Sequence, residues 1–117
     1  MNLEKFRNYC LSKKGATEDF PFDITTLVFR VGGKIFALTD TDKIPFRFNL
    51  KCEYERAVEL REQYEFIIAG YHMNKKLWNT IEPNGSQSDK FYYELVDHSY
   101  DLIFKSLSKK EREAIGL

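Results

Sequence analysis

The sequence predicts an α+β domain, a two-layer sandwich with helices packed on one face of a mostly antiparallel sheet. Three observations lead there. Gly32-Gly33 sits between two β-rich runs and supplies a two-residue hairpin turn, which pairs those runs antiparallel. The helical patterns lie outside the strand runs instead of alternating with every strand. The run 45–51 alternates strictly, with Phe46, Phe48 and Leu50 against Arg47, Asn49 and Lys51, so one sheet face is apolar and the other wet.

The elements follow in order. Asn2 caps a first helix from about Leu3 to Lys14, Gly15 ends it, and Leu3, Phe6 and Cys10 recur at helical spacing. Residues 16–25 read as a turn-rich connection in which Phe20 and Phe22, around Pro21, tuck inward as a lid on the core. Strands are expected at 26–31, 34–39 and 45–51, with a loop at Thr41-Asp42-Lys43. A second helix spans about 54–63, its Tyr54, Ala57, Val58 and Leu60 toward the sheet. Strands at 66–69 and 77–82 follow, and Pro83-Asn84-Gly85-Ser86 breaks the chain. Ser88 opens a long helix to about Leu107, with Phe91, Leu95, Ser99, Leu102 and Ser106 on one stripe and Val96 and Ile103 beside it. Ser108 and Glu111 fit a capping box for a short terminal helix. The predicted order is α-β-β-β-α-β-β-α, then this last turn of helix.

Composition bounds the rest. A chain of 117 residues with 43 % hydrophobic residues, ten Phe and seven Tyr is one domain, residues 1–117, with a real core. It has no apolar run of membrane-spanning length. The start Met1-Asn2-Leu3-Glu4-Lys5-Phe6 lacks a signal-peptide core, so a cytoplasmic protein is expected. Cys10 and Cys52 are isolated, which fits buried thiols better than a disulfide or zinc site. Neither a phosphate-cradling glycine loop nor a metalloprotease or nucleophile-elbow motif occurs, and no cofactor is expected. Glu55, Glu59 and Glu62 share one helix side and read as a solvated stripe.

The net charge is zero, from 18 basic and 18 acidic residues, which argues against an indiscriminate nucleic-acid binder. The charges are nevertheless sorted. The segment 26–51 carries +3 and 71–81 carries +2, whereas 52–65 carries −3 and 88–107 carries −2. In a two-layer fold this sets basic strands against acidic helices.

The segments Val31-Gly32-Gly33-Lys34-Ile35-Phe36-Ala37, Phe48-Asn49-Leu50-Lys51-Cys52, Gly70-Tyr71-His72-Met73-Asn74-Lys75-Lys76-Leu77-Trp78-Asn79-Thr80 and Leu95-Val96-Asp97-His98-Ser99-Tyr100 resemble the MmcQ/YjbR family in order and spacing. The resemblance implies an α-β3-α-β2-α fold, similar to frataxin-like (CyaY-like) and secretion-chaperone-like folds. It also implies a DNA-binding label that rests on analogy. The chain departs from the family at Glu53-Tyr54-Glu55, where an acidic residue and a proline often open the helix.

Two readings of function come from this. In the first, Arg30, Arg47, Lys51, Lys75 and Lys76 meet the phosphates of duplex DNA, with Asn49, His72 and Asn74 adding local contacts and little sequence specificity. In the second, Tyr71, Trp78 and Phe20-Pro21-Phe22 rim an apolar groove for a protein partner or small ligand. His72 also fits a loop-shaping role, Asn74 a turn and Trp78 a core position. His98 and Ser99 point apart on one helix, so they do not make a nucleophile pair and no enzyme constellation emerges.

Overall fold

The computed structural model describes residues 1–70 and 73–116. Ten elements follow one another: α1 (Leu3–Ser12), β1 (Thr17–Asp19), β2 (Thr26–Val31), β3 (Lys34–Asp40), β4 (Phe48–Lys51), α2 (Tyr54–Gln63), β5 (Ile67–Ala69), β6 (Trp78–Ile81), α3 (Asp89–Ser106) and α4 (Lys109–Ala114). The strands form one antiparallel sheet in the order β1-β2-β3-β4-β6-β5. The α+β class therefore holds, and so does the element order, with one strand added.

Local chemistry explains the boundaries. The Asn2 side chain accepts from Lys5 N at 2.9 Å and opens α1. Gly32 and Gly33 adopt φ of 58° and 79°, the left-handed pair a tight hairpin needs. Ser108 and Glu111 form the expected reciprocal cap of α4. The added strand, β1, lies in what reads as turn: Thr17-Glu18-Asp19 is polar, but its backbone finds β2, with Glu18 opposite Phe29. The third predicted strand starts late, at Phe48; just before it the Arg47 carbonyl accepts from Thr39 Oγ1 at 2.7 Å.

The two faces of the sheet differ. Leu27, Phe29, Phe36, Ala37, Phe48, Leu50, Ile67 and Ile81 face the helices and pack with Phe6, Cys10, Tyr92, Val96 and Tyr100 into the main core. Phe36 and Ala37 both reach this side through the irregularity beside Phe29 and Arg30. The opposite face carries a smaller buried cluster of Val28, Leu38 and Trp78, flanked by Ile35, Met73 and Leu77.

Three packing expectations are corrected. Phe20 and Phe22 are no lid: they are 48 % and 66 % exposed, and the core ring against Phe6 comes from Phe46 instead. The Asp23 carboxylate folds their loop by accepting from Thr25 N and Thr26 N at 2.9 and 2.6 Å. Tyr54, on the first turn of α2, is 50 % exposed, and the buried residue of that helix is Ala57. The buried stripe of α3 is rotated from the expected one. Tyr92, Val96, Tyr100 and Ile103 join Leu95 and Ser99, leaving Leu102 half-buried and Ser106 exposed.

Candidate functional site

The face of the sheet away from the helices is the surface on which the expected site residues meet. The register sets out its rows. Leu38 lies opposite Asn49, Asn49 opposite Thr80, and Thr80 opposite Ile68. At one end of these strands stand Thr26, Asp40, Arg47 and Glu82; at the other stand Arg30, Ile35, Lys51 and Trp78. Arg30, Arg47, Asn49 and Lys51 thus share a face, as alternation predicts. Arg47, just before β4, and Lys51 at its end are four residues apart, or about 13 Å of extended chain.

Sharing a face does not make a bare cationic surface. Arg30 Nε contacts Asp19 Oδ1 at 3.0 Å, and its Nη1 donates to the Gly33 carbonyl at 3.1 Å. Arg47 Nε stands 3.8 Å from Glu82 Oε1. Asn49, expected on the wet face, is only 5 % exposed, and its Oδ1 accepts a short hydrogen bond from Thr80 Oγ1. Among the described residues no carboxylate lies within ion-pair distance of Lys51, Lys75 or Lys76. Lys75 and Lys76 are exposed on a turn that Asn74 builds. The Asn74 side chain accepts from Lys76 N, and its carbonyl accepts from Leu77 N and Trp78 N. Arg61 of α2 steadies that turn by donating to the Lys75 carbonyl at 3.3 Å. His72 and Tyr71 lie outside the described residues.

Trp78 is a packing residue, 6 % exposed, but it packs with Val28 and Leu38 on the open face and not in the main core. Next to this cluster is a cleft of about 370 Å³, lined by Phe22, Asp23, Thr26, Leu38, Asp40, Lys43, Arg47, Asn49 and Met73. Its wall is mostly apolar. Both of its acids already serve turns: Asp23 holds Thr25 and Thr26, and Asp40 accepts from Asp42 N at 3.0 Å. Those backbone donors hold the Asp23 carboxyl below its usual range. A hollow of about 120 Å³ adjoins the cleft and shares Arg47 with it, its other lining being Glu65, Phe66, Ile68, Thr80 and Glu82.

The expected groove was rimmed by Tyr71, Trp78 and Phe20-Pro21-Phe22; among the described residues only Phe22 of these lines the cleft, and Leu38, Met73, Asp40 and Lys43 were missed. One signal was present. The unbroken apolar runs Leu27-Val28-Phe29 and Ile35-Phe36-Ala37-Leu38 mark strands buried on both faces, so part of the wet face had to be covered.

The remaining reactive groups are absorbed by structure. Ser99 Oγ donates to the Phe36 carbonyl and accepts from Lys51 N at 2.9 Å, tying α3 to two strands. His98 Nε2 accepts from Glu53 N at 3.3 Å, and burial, with Arg56 nearby, lowers its pKa. Cys10 and Cys52 are buried free thiols, and burial raises the pKa of both. Among the described residues no cluster of His, Cys, Asp and Glu could hold a metal ion, and no helix is long and apolar enough to cross a membrane.

Comparison with known proteins agrees with this architecture. Residues 11–102 match the family model described as YjbR. The chain is 33 % identical over 97 residues to the Escherichia coli O157:H7 protein named "Uncharacterized protein YbdF", covering 82 % of the chain and 79 % of that protein. It is 29 % identical over 115 residues to "Uncharacterized protein YjbR" of Escherichia coli K12, covering 98 % of each. The crystal structure of a Deinococcus radiodurans protein with a DUF419 domain superposes with a TM-score of 0.90 at 38 % identity, covering 99 % of this chain and 88 % of that one. A structural-genomics target from Pseudomonas syringae superposes with a TM-score of 0.74 at 29 % identity, covering 88 % and 99 %.

Proposed function

Since the chain belongs to the YjbR family, we propose that it is a non-enzymatic binding module of the cytoplasm whose open sheet face receives a partner, an apolar group of which enters the cleft beside Met73. The observation that carries this reading is the cleft itself. Phe22, Leu38 and Met73 line it, and Phe22 keeps 66 % of its surface in water. At about 370 Å³ it lies at the small end of the range for ligand pockets, about 300–1,000 Å³, and suits one or two side chains better than a large cofactor. Asn49 and Arg47 supply the polar groups that orient what enters.

The test is carbon-labelled methyl NMR of Met73 with Trp78 fluorescence, during titration with capped peptides bearing one leucine or aromatic side chain. Saturable shifts are expected, with affinity about tenfold weaker in Phe22→Ser, or about 1.4 kcal/mol. Absence of any Met73 response at millimolar peptide sinks the reading.

Duplex DNA is a second reading, favoured by one observation: Lys51, Lys75 and Lys76 are cations with no ion-paired carboxylate among the described residues. Arg30 and Arg47 contribute less, because Asp19 and Glu82 offset them. Contact through about three phosphates gives a log–log salt slope near −3. A slope near zero, or binding unchanged by Lys51→Glu with Lys75→Glu, removes DNA from consideration.

A further inference from the structure

We propose that the cleft and the adjoining hollow are two subsites of one groove, and that its occupant is an extended segment of a partner protein carrying an apolar side chain followed by a basic one. This rests on the reading of the cleft as the binding site.

Three observations carry the inference. The first is continuity. Both hollows are lined by Arg47, and the Asn49–Thr80 hydrogen bond forms a floor between them, Asn49 lining the cleft and Thr80 the hollow. The second is length. The cleft stands over β3 and β4, and the hollow over β6 and β5. Two steps across a sheet are about 10 Å, which an extended chain covers in about three residues at about 3.3 Å each. Because side chains alternate faces along an extended chain, those two or four positions apart, about 7 or 13 Å, bracket this span and face the sheet together.

The third is charge. Asp23 and Asp40 line the cleft, and Glu65 and Glu82 line the hollow, against Lys43 and Arg47. The groove is thus net negative, and Arg47 is held near Glu82 at 3.8 Å. The apolar demand falls in the cleft, with Phe22, Leu38 and Met73. The cationic demand falls in the hollow, where Glu65 has no ion-paired cation among the described residues and Glu82, 3.8 Å from Arg47, is only partly offset, beside the aliphatic surface of Ile68. A lysine or arginine satisfies such a place, its stem along Ile68 and its head between the carboxylates. The same charge repels a phosphate backbone or a small organic acid.

The experiment is a library of capped hexapeptides with one leucine or aromatic residue and, two or four positions on, lysine, alanine or glutamate. It is read on full-length protein by methyl NMR of Met73 and the Ile68 δ1 methyl. Lysine members should bind at least fivefold tighter than glutamate members and move both methyls. Glu65→Gln with Glu82→Gln should abolish that preference. Phe22→Ser should weaken lysine and glutamate members alike. Equal affinity of the lysine and glutamate members, with Met73 still responding, overturns the two-subsite groove and leaves the cleft reading intact. No response at either methyl from any member overturns both. Self-association of the free protein that competes with the peptides makes the occupant a second copy and also overturns the proposal as stated.

Discussion

Ser99 shows how a single side chain can look like chemistry and turn out to be architecture. It sits buried in α3, donating to the Phe36 carbonyl and accepting from Lys51 N where the irregular β3 leaves β4. Ser99→Ala leaves both groups without that partner, so a loss of about 2–6 kcal/mol is expected in urea unfolding, from about 1–3 kcal/mol for each unsatisfied group. The two hairpin glycines have equal conformational need but unequal surroundings. A Cβ on Gly32 would come within 2.7 Å of Leu107 Cδ2, whereas one on Gly33 meets nothing within 4 Å. Gly32→Ala is therefore expected to lower the melting temperature more than Gly33→Ala, because it adds a clash with Leu107 to the same backbone strain. Tyr9 donates to Asp97 at 2.6 Å, and burial, reinforced by that carboxylate, pushes its pKa up to about 12. Its folded pKa lies above its unfolded value, so its contribution is full below pH 10 and is lost as pH rises toward about 12. Alkaline unfolding of Tyr9→Phe should show a shallower decline across that window.

At the scale of elements, α2 depends on a neighbour to begin. Its capping residue, Glu53, makes no side-chain cap, and the Glu53 N–H instead reaches His98 on α3 at 3.3 Å. Burial first, then Arg56, lowers the His98 pKa, with Glu53 and Asp101 acting the other way and Lys105 adding to the decrease. A folded pKa below the unfolded 6.5 means this stability is complete above pH 6.5 and is lost as pH falls through the folded value. His98→Gln should flatten the loss of stability between neutral and mildly acidic pH, as followed by chemical denaturation. α2 in turn steadies the turn that presents Lys75, through Arg61. The misread elements have a common cause. β1 is too polar to show period two, and the lid expected at Phe20 and Phe22 failed because Asp23 and the tie between Thr41 and Thr25 fix that loop outward. Neither the pairing of a polar strand nor the direction of a loop is written in hydrophobic periodicity.

For the molecule as a whole, the two apolar clusters lie on opposite faces of one sheet, and Trp78 of the smaller one belongs to an interior strand. One cooperative unit is therefore expected, with thermal transitions by far-ultraviolet circular dichroism and Trp78 fluorescence superimposing; an earlier fluorescence transition would show the open-face cluster loosening by itself. Charge was only partly legible at this scale. The sequence shows that the strand segments are basic and the later helices acidic, and Arg30, Arg47, Asn49 and Lys51 do issue from one face. It does not show that Asp19 on a neighbouring strand meets Arg30, or that Glu82 approaches Arg47 from the far end of β6. The sequence by itself determined the fold class, the hairpin, the caps at Asn2 and Ser108 and the family, because spacing of three or four residues and of two is local and survives without knowledge of partners; Ser88, expected to cap α3, makes no side-chain cap. Only the tertiary structure decided that the open face is a part-apolar groove whose two arginines, Arg30 and Arg47, are offset by carboxylates, because ion pairing and cover depend on residues that are distant along the chain and adjacent in space.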